Sequence, residues 1–569
     1  MSYGGVDFGF VGQAYEAADT DQDTQRLINW YVEVSKDGKS KTPTALLGCP
    51  GLNNVQQLDN PGPVRGAWVL PGGQKAIVVK GDTAYLITVT APPTQTSIAQ
   101  FAHAPLGGLL TSSGPVVIRD NGAGGHVVMV DGPYGYYYRL DPVVVFTFTA
   151  TPTLGSFDLP YIGTLPTQLI VGQSLAGAGI NALAKVASVS SSLGIITMTH
   201  AATASPGATI ITGIPNIFDR LTDPAFLGAD RVEFIDGWLI FNQPGKQNFY
   251  TNAPVPYTLL FDGLFFAKND SSSDNIVTLE SLNRDLWIVG ERHSEIWFDA
   301  GGSQFAFQRI PGAAPEIGCA AKHSITKAGD TLMWLAQSAR GGVSVIKTQQ
   351  YTWDEVTTPA VANIMSNYPL VSDAVGFCYE EQGHAFYVLT FPTQEATWVY
   401  DLTTDLWHER GRFERGEFFR YRANCFMNFQ NLRIVGDYIN GRLYQLSRTV
   451  YTDDGDPLVC VRRCPHIWSR ENRERIFQAS LQVEFKAGVG KASGAAADVD
   501  PQFMLSWSDD GGQTFTNEEQ IPIGKIGETR NRAIIRRLSV SRDRVFEARF
   551  SAAVRRDIVG ATLYAEVSK

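Results

Sequence analysis

The stretch RDLWIVGERHSEIWFDAG (residues 284–301) consists of two apolar, aromatic-rich runs, LWIVG and EIWFD, on either side of a polar turn. Aromatic and β-branched side chains suit a pleated surface, so two such runs joined by a turn predict a β-hairpin. The protein is therefore predicted to be built from repeated strand pairs. Six further stretches have this character: KAIVVKGDTAYLIT (75–88), HVVMVDGPYGYYYRL (126–140), DGWLIFNQPGKQNFYTN (236–252), DTLMWLAQSARGGVSVIK (330–347), HAFYVLTFPTQEATWVYDL (384–402) and NLRIVGDYINGRLYQLS (431–447).

The spacing of these hairpins predicts the architecture. They start at residues 75, 126, 236, 284, 330, 384 and 431, so every step except the second measures 46 to 54 residues. Units of that length are the size of a four-stranded propeller blade. We therefore predict a β-propeller of six or seven blades over residues 51–450. A pair of stacked sandwiches with accidental spacing is the alternative.

The one long step contains a segment of different composition, at residues 141–215. It is rich in Thr, Ser, Ala and Gly, and Asp158 and Lys185 are almost its only charged residues. Removing it would leave a step of about 40 residues, in line with the others. We predict that this segment is a small β insertion projecting from one blade. A fibre-like receptor binder, with this insertion as its tip, is one functional hypothesis.

The two ends of the chain differ from the repeats. Residues 1–50 are predicted to be an N-terminal extended arm with the first strands. Residues 451–569 contain strands separated by Gly, Asp and Asn turns, and they are too few for two more blades with connections. A separate C-terminal β-sandwich is expected there. The predicted fold class is all-β: a propeller, a small inserted β domain and a C-terminal sandwich.

Composition excludes several classes of protein. A chain of 569 residues with 44% apolar and 18% charged residues is globular and has more than one domain. Its net charge of −10 argues against a general nucleic-acid coat, which needs clustered Lys and Arg. The N-terminus lacks the pattern of a signal peptide, and no apolar run reaches the roughly 20 residues that span a bilayer. Folding in a cytoplasm and no membrane insertion are expected.

The cysteines suggest neither disulfides nor a metal site. Six cysteines are scattered over the chain, which is no disulfide framework. Cys460 and Cys464, with His466 nearby, lack a fourth zinc ligand at a suitable spacing, so free thiols are predicted. The stretch DTDQDTQRLINW (19–30) begins like a calcium loop, but Thr24 and Trp30 stand where Gly and Glu are required. We expect no metal and no cofactor.

One motif suggests an enzyme. The stretch SDDGGQTF (508–515) has the Asp-box spacing known from the propellers of sialidases and related glycosidases. Gly512 suits a positive-φ turn position, Ser508 and Asp510 can bond backbone groups across the turn, and an aromatic residue follows. The motif occurs once, outside the predicted propeller, so a structural hairpin clip without catalysis is favoured. A glycan-binding or glycan-hydrolysing, sialidase-like propeller is the alternative. The motif residues are Ser508, Asp510, Gly512, Thr514 and Phe515.

Arginines are concentrated near the C-terminus. Acidic residues outnumber basic ones up to about residue 450, whereas the last stretch is close to balance. The favoured interpretation is solvated or strand-face arginines paired with Glu528, Asp543 and Glu547. An interface with another protein or with DNA is the alternative, because Arg is the cation most enriched at interfaces. The candidate interface arginines are Arg530, Arg532, Arg536, Arg537, Arg542 and Arg544, and Arg549, Arg555 and Arg556 lie in the same region.

Several stretches resemble one family. They are QRLINWYVEV (25–34), ALLGCPGLNNV (45–55), GPVRGAWVL (62–70), RDLWIVGERHSEIWFDAGG (284–302), IPGAAPEIGCAAKHSI (310–325) and the run from LSWSDDGGQTF to FEARFS (505–551). In this order they resemble the tail hub proteins, also called packaged-DNA stabilisation proteins, of short-tailed bacteriophages. The segment 141–215 departs from the family pattern.

The resemblance implies a structural role without catalysis. Members of the family form a ring, expected to be a hexamer, below the portal and head-to-tail adaptor of the virion tail. The ring extends the channel, helps to retain packaged DNA and anchors a needle, fibres or spikes. DNA would pass through the lumen without sequence-specific binding. The protein is expected to assemble in the host cytoplasm and to reside in the tail.

Overall fold

The computed structural model describes residues 4–567 except for 37–41, 95–98, 141–144, 215–216, 254, 271–272, 303–304, 339–340 and 470–473. Within these residues the fold is all-β, as predicted, and helices are confined to α1 (Pro359–Ser366), α2 (Ala496–Val499) and a 3-10 helix (Gly122–Gly124). The first strands of the chain are β1 (Gly4–Val6), β2 (Tyr15–Glu16), β3 (Thr24–Ile28), β4 (Trp30–Val34), β5 (Thr44–Gly48) and β6 (Gly51–Gln57).

Seven antiparallel sheets follow in chain order and are named sheet 1 to sheet 7. Sheet 1 contains β7 (Val64–Val69), β8 (Lys75–Lys80), β9 (Thr83–Ala91) and β10 (Gln100–Gly108). Sheet 2 starts with β11 (Val117–Asp120), β12 (His126–Val130) and β13 (Gly135–Arg139). Six strands then form an insertion: β14 (Phe146–Ala150), β15 (Asp158–Ile162), β16 (Ser174–Ala176), β17 (Val186–Ser190), β18 (Ile195–Met198) and β19 (Thr209–Ile214). Strand β20 (Phe218–Arg220) completes sheet 2.

Sheet 3 contains β21 (Val232–Ile235), β22 (Trp238–Asn242), β23 (Asn248–Asn252) and β24 (Phe261–Lys268). Sheet 4 contains β25 (Ile276–Leu282), β26 (Asp285–Gly290), β27 (Ser294–Asp299) and β28 (Phe307–Arg309). Sheet 5 contains β29 (Gly318–Cys319), β30 (Thr326–Ala328), β31 (Thr331–Gln337), β32 (Val343–Gln349) and β33 (Thr352–Glu355). Sheet 6 contains β34 (Val375–Glu381), β35 (His384–Phe391), β36 (Ala396–Asp401) and β37 (Leu406–Glu409). After a hairpin of β38 (Gly411–Glu414) and β39 (Glu417–Arg420), sheet 7 contains β40 (Ala423–Phe429), β41 (Leu432–Asp437) and β42 (Arg442–Ser447).

The seven predicted hairpins are confirmed, and each supplies the two middle strands of one sheet. In residues 284–301, β26 and β27 pair in antiparallel register with Trp287 opposite Ile296. The middle strands are buried because both faces of each sheet are covered by neighbouring sheets. In sheet 4, for example, Leu286, Trp287 and Ile288 are all at most 1% exposed.

An N-terminal strand completes the last sheet. Strand β6 pairs with β42 in antiparallel register, with Leu52 opposite Leu446, and so becomes the fourth strand of sheet 7. Buried apolar clusters lie between each pair of consecutive sheets. A further cluster joins sheet 7 to sheet 1, where Val78 meets Phe429 and Ile434. Sheet 7, the last of the repeated sheets, thus packs against sheet 1, the first of them.

The insertion forms a sheet of its own, in the order β16-β19-β14-β15-β18-β17. It joins the third and fourth strands of sheet 2 and has a separate apolar core around Phe148, Leu159 and Ile196. Its strands therefore fall within the predicted segment 141–215. Residues 141–144 and 215, at the two ends of that segment, lie outside the described residues.

The C-terminal strands form two sheets packed face to face. They share a core that contains Leu481, Phe503 and Phe546, all completely buried. Their alternation of buried and exposed residues is typical of a sandwich. The strands are β43 (Thr452–Asp453), β44 (Asp456–Pro457), β45 (Cys460–Arg463), β46 (Ile467–Trp468), β47 (Ile476–Phe485), β48 (Gln502–Ser508), β49 (Glu519–Pro522), β50 (Ala533–Arg536), β51 (Val540–Ser541), β52 (Asp543–Phe550) and β53 (Ile558–Val567). The first two, β43 and β44, extend sheet 7 through β6 and not the sandwich.

The N-terminal residues, predicted to be an extended arm with the first strands over residues 1–50, supply strands to the sandwich. Strands β1 and β5 both pair with β53, and β4 pairs with β5, so all three join one sheet of the sandwich. Strand β3 lies between β45 of the other sandwich sheet and β37 of sheet 6. The physical reason is apolar burial: Leu27, Trp30 and Val32 are at most 3% exposed. One continuous sheet therefore runs from sheet 6 through β3 into the sandwich. We call residues 4–48 the N-terminal segment.

Candidate functional site

The Asp-box motif forms the turn after β48, where its polar groups bond one another. The Ser508 hydroxyl donates to Asp510 Oδ1 (2.6 Å) and accepts the Gly512 N–H (2.9 Å). The Asp510 carboxylate accepts the N–H of Thr514 (2.9 Å) and also its hydroxyl. These bonds, first from Ser508 and then from Thr514, hold the pKa of Asp510 well below its usual value. The carboxylate is occupied within the turn, as expected of a hairpin clip.

The turn is also a contact with the N-terminal segment. Gly511 and Gly512 have φ values of +76° and +88°, in the left-handed region that favours glycine. A Cβ atom on Gly511 would lie 2.4 Å from Asp21 Oδ1, so the backbone of the turn approaches the Asp21 side chain closely there. Phe515 is half-buried, and its ring centre lies 4.8 Å from the guanidinium of Arg463, which lies in β45 of the same sheet as β48.

Substitution of Asp510 by alanine should lower the thermal midpoint of the C-terminal domain. Because its pKa is lowered on folding, Asp510 stabilises the fold fully above its unfolded pKa of 3.8, and this contribution is lost as the pH falls below that value. The midpoint difference between Asp510→Ala and the unaltered protein should therefore be larger at pH 7 than near pH 2, as followed by near-ultraviolet circular dichroism. Asp270→Ala, at an exposed position, is the control. Equal differences at both pH values would contradict the prediction.

Arg544 is not an interface residue, although it belongs to the candidate set. Its side chain is completely buried and forms two bonds to Asp509, from Nε to Oδ1 (2.6 Å) and from Nη2 to Oδ2 (2.7 Å). It also donates to Gln478 Oε1 (3.2 Å). Arginine is suited to this place because its planar fork matches a carboxylate and satisfies several acceptors at once. Arg544 therefore stabilises the Asp-box turn through its two bonds to Asp509.

The other candidate arginines are exposed. Nearby, the arginines outside the candidate set are engaged: Arg549 pairs with Glu518 (3.2 Å), and Arg555 pairs with Asp557 (2.6 Å). Arg556 is buried and donates to the Leu458 carbonyl (2.8 Å). Of the predicted acidic partners, Glu547 pairs with Arg463 and Arg549. The exposed candidates, for which the described part of the chain contains no ion pair, are Arg530, Arg532, Arg536, Arg537 and Arg542.

His466 has structural partners. Its Nδ1 lies 2.9 Å from the Asp543 carboxylate, and its Nε2 donates to the Thr20 carbonyl (2.8 Å). Cys460 and Cys464 are buried, unpaired thiols. Among the described residues no group of three or more metal-ligating side chains is gathered together. His466 thus fastens the N-terminal segment to the sandwich.

A buried ion cluster, which sequence reasoning missed, joins strands β11, β21, β25 and β30 of four sheets. Arg119 of sheet 2 lies 2.5 Å from Glu233 of sheet 3 and 3.4 Å from Glu280 of sheet 4. Arg231 pairs with Glu280, and Lys327 of sheet 5 lies 3.3 Å from the same carboxylate. Burial alone would raise the pKa of Glu280, but Arg119 and the other cations lower it to about 2. Burial raises the pKa of Glu233.

A second missed site holds the N-terminal segment to sheet 6. His384 is 4% exposed and lies between two carboxylates, with Nδ1 2.6 Å from Asp401 and Nε2 2.7 Å from Glu33 of β4. Desolvation opposes protonation, but the hydrogen bonds to Asp401 and Glu33 prevail and raise the pKa of His384. A protonated ring can donate to both carboxylates at once, whereas a neutral ring can donate to only one.

The His384 bridge makes a pH-dependent contribution to stability. Since its pKa is raised on folding, the contribution is complete below the unfolded value of 6.5 and is lost as the pH rises through the folded pKa. His384→Gln should therefore lower the free energy of unfolding more at about pH 6 than at about pH 9. Urea denaturation at both pH values measures this. A difference that does not change with pH would contradict the assignment.

Comparison with known proteins identifies the family. A model of the β-propeller of bacteriophage P22 Gp10 matches residues 168–451, and a model of the β-sandwich of the same protein matches residues 465–566. A search of curated proteins found no match. Among the described residues no helix has the length and apolar character needed to cross a membrane.

Solved structures show only distant likeness. The N-terminal domain of Nup159 is 7% identical, with a TM-score of 0.35, and the match covers 74% of this chain and 98% of that one. PorZ, a surface component of the type-IX secretion system of Porphyromonas gingivalis, is 9% identical, with a TM-score of 0.32 and coverage of 76% and 45%. Hsv2 of Kluyveromyces lactis is 9% identical, with a TM-score of 0.25 and coverage of 61% and 97%.

The two family matches follow the order in which the chain presents its repeated sheets and its sandwich. The chain therefore belongs to the bacteriophage P22 Gp10 family, and it is a structural protein of a phage tail with a β-propeller followed by a β-sandwich.

Proposed function

We propose that this protein is a subunit of a ring, expected to be a hexamer, that extends the portal–adaptor channel of a phage tail. The ring helps to retain packaged DNA and anchors a needle, fibres or spikes. The observation that carries the proposal is the pair of family matches, which cover residues 168–451 and 465–566. Assembly takes place in the host cytoplasm, and DNA passes the ring without sequence-specific contacts.

The fold supports a role as a rigid structural subunit. The sheet that runs from sheet 6 through β3 into the sandwich fixes the two parts to each other by backbone hydrogen bonds. A junction of this kind resists hinge motion better than a flexible linker would. We also propose that the seven sheets are the seven blades of the propeller, which is supported by the cluster between sheet 7 and sheet 1.

The geometry of the Asp-box favours a structural role over a glycan-directed one. Ser508, Asp510 and Thr514 bond to each other within the turn. The turn also packs on the N-terminal segment. The polar groups of the turn therefore have partners within the protein. We infer that the protein is not an enzyme.

The retention role can be tested with a phage whose copy of this gene carries a suppressible stop codon. Particles from the non-suppressing host should package DNA and then lose it, so that most of the genome becomes sensitive to nuclease. Quantification of nuclease-protected DNA per capsid measures this, with the suppressing host as control. Filled heads that keep their genome without the protein would overturn the retention role.

A second candidate role, receptor contact, is suggested by the insertion. Its turns and outer face expose large apolar side chains, among them Leu154 (66%), Leu183 (70%) and Leu193 (73%). Exposed apolar groups on a sheet with few charges are typical of a binding surface. Deletion of residues 146–214 tests this role: reduced adsorption to the host by otherwise complete particles would support it, and normal adsorption would exclude it.

A further inference from the structure

A corner of the sandwich combines exposed arginines with exposed apolar side chains. Val540 pairs with Phe477, and Trp468 pairs with Asp543, the residue after Arg542. The backbone N–H of Arg537 donates to the Ala479 carbonyl in the same strand as Phe477 (2.9 Å). Strand pairing therefore brings these residues together. We name this set the arginine patch: Trp468, Phe477, Arg536, Arg537, Val540 and Arg542.

The composition of the arginine patch is that of a protein interface. Trp468 is 49% exposed, Phe477 41% and Val540 43%. In the described part of the chain, no carboxylate lies within ion-pair distance of the three arginines. Interfaces between proteins are enriched in aromatic residues and arginine, and such residues supply most of the binding energy. The apolar members favour a protein partner over DNA, which contacts mainly cationic and polar groups.

A groove between sheets 4 and 5 has mainly acidic residues among its charged lining side chains, whereas the charged side chains of the arginine patch are basic. Asp285, Asp330 and Asp354 line it, and Lys347 is the one cation among its described lining residues. None of the three carboxylates forms an ion pair with a described residue, and the Tyr351 hydroxyl donates to Asp285 (2.9 Å). The cavity measures about 610 Å³, within the range of roughly 300–1,000 Å³ typical of binding clefts. We name it the acidic groove.

We propose that the arginine patch of one copy docks on the acidic groove of a second copy. Neither the three arginines of the patch nor the three carboxylates of the groove form an ion pair with a described residue, so each surface can supply the opposite charge that the other lacks. The partner is a second copy of this chain, because the two surfaces lie on the same chain and carry opposite charges. The contact joins two different surfaces, which generates a closed ring when the rotation closes. This inference rests on the proposed ring.

Charge reversal of each surface tests the proposal in assembling particles. One variant carries Arg536→Glu, Arg537→Glu and Arg542→Glu, and the other carries Asp285→Arg, Asp330→Arg and Asp354→Arg. Either variant alone should enter particles more than about tenfold less well, because like charges would oppose each other at every contact. The two co-expressed should recover incorporation, since each contact in an alternating ring then joins opposite charges. Quantitative mass spectrometry of purified particles measures the copies incorporated.

The controls separate this inference from the ring itself. Asp285 is half-buried and the other five altered residues are exposed, so both variants should stay folded, which their thermal midpoints check against the unaltered protein. Arg415→Glu should assemble normally. Normal incorporation of either charge-reversed variant would overturn the proposed docking. Failure of the two folded variants to regain incorporation when they are co-expressed would overturn it as well. Normal incorporation of the arginine variant with loss of packaged DNA would assign the patch to DNA instead. Absence of the unaltered protein from the particle tail would refute the ring.

Discussion

Replacement of Glu280 by glutamine is expected to lower the free energy of unfolding by about 3–5 kcal/mol. The side chain of Glu280 is 2% exposed and is the carboxylate that Arg119, Arg231 and Lys327 all approach. Removal of its charge leaves these cations to share Glu233 alone. A buried charge without its partner costs far more than the pair contributes, because its hydration is not restored.

Guanidinium denaturation followed by tryptophan fluorescence measures this effect. Glu316→Gln is the matched control, since Glu316 is exposed, and it should change the free energy of unfolding by less than about 0.5 kcal/mol. If the two variants had the same midpoint, the ion cluster would not stabilise the propeller. Loss of the cluster should also loosen the contacts among sheets 2 to 5, since each supplies one of its members.

Substitution of Trp30 by alanine is expected to cost about 3–5 kcal/mol. Trp30 is completely buried, and its indole N–H donates to the Arg556 carbonyl (3.0 Å). It lies in β4, so its loss leaves a cavity in the core that the N-terminal segment shares with the sandwich and sheet 6. The effect follows from the account in which this segment holds the two parts together.

Trp353→Ala provides the matched control for Trp30→Ala. Trp353 lies in β33 and is 36% exposed, so its removal should cost far less. Differential scanning calorimetry of both variants measures the difference. If the Trp30 variant unfolded at the temperature of the Trp353 variant, the N-terminal segment would not be part of the core.

The repeated hairpins could be predicted because they are local. Each consists of two strands joined by a short turn, so one stretch such as 284–301 contains both partners and the turn between them. The insertion was recognisable for a related reason, since its composition differs over a continuous run. Signals of this kind do not require knowledge of which distant residues meet.

The completion of sheet 7 by an N-terminal strand could not be predicted in this way. Strand β6 pairs with β42, with Leu52 opposite Leu446, and nothing in either stretch identifies the other. The pairing of the N-terminal strands with the sandwich could not be predicted for the same reason. The polar sites depend on similar long-range pairing, because Glu33 and His384 meet only after β4 has joined the sandwich.

The candidate site was predicted in part. The Asp-box residues Ser508, Asp510 and Thr514 bond to one another within one turn, so the spacing of the motif alone could suggest a hairpin clip. Arg544 was placed wrongly among exposed arginines. Its neighbours in sequence are equally rich in arginine, and its burial depends on Asp509 and Gln478 reaching it from other strands.

An electron-microscopy map of the mature phage particle would show whether this chain forms the proposed ring. We expect copies of this chain to form a closed ring around the tail channel, with the sandwich of each copy against the propeller of the next. A map that places the chain in the capsid shell, or in the tail as isolated copies that do not surround the channel, would contradict this expectation.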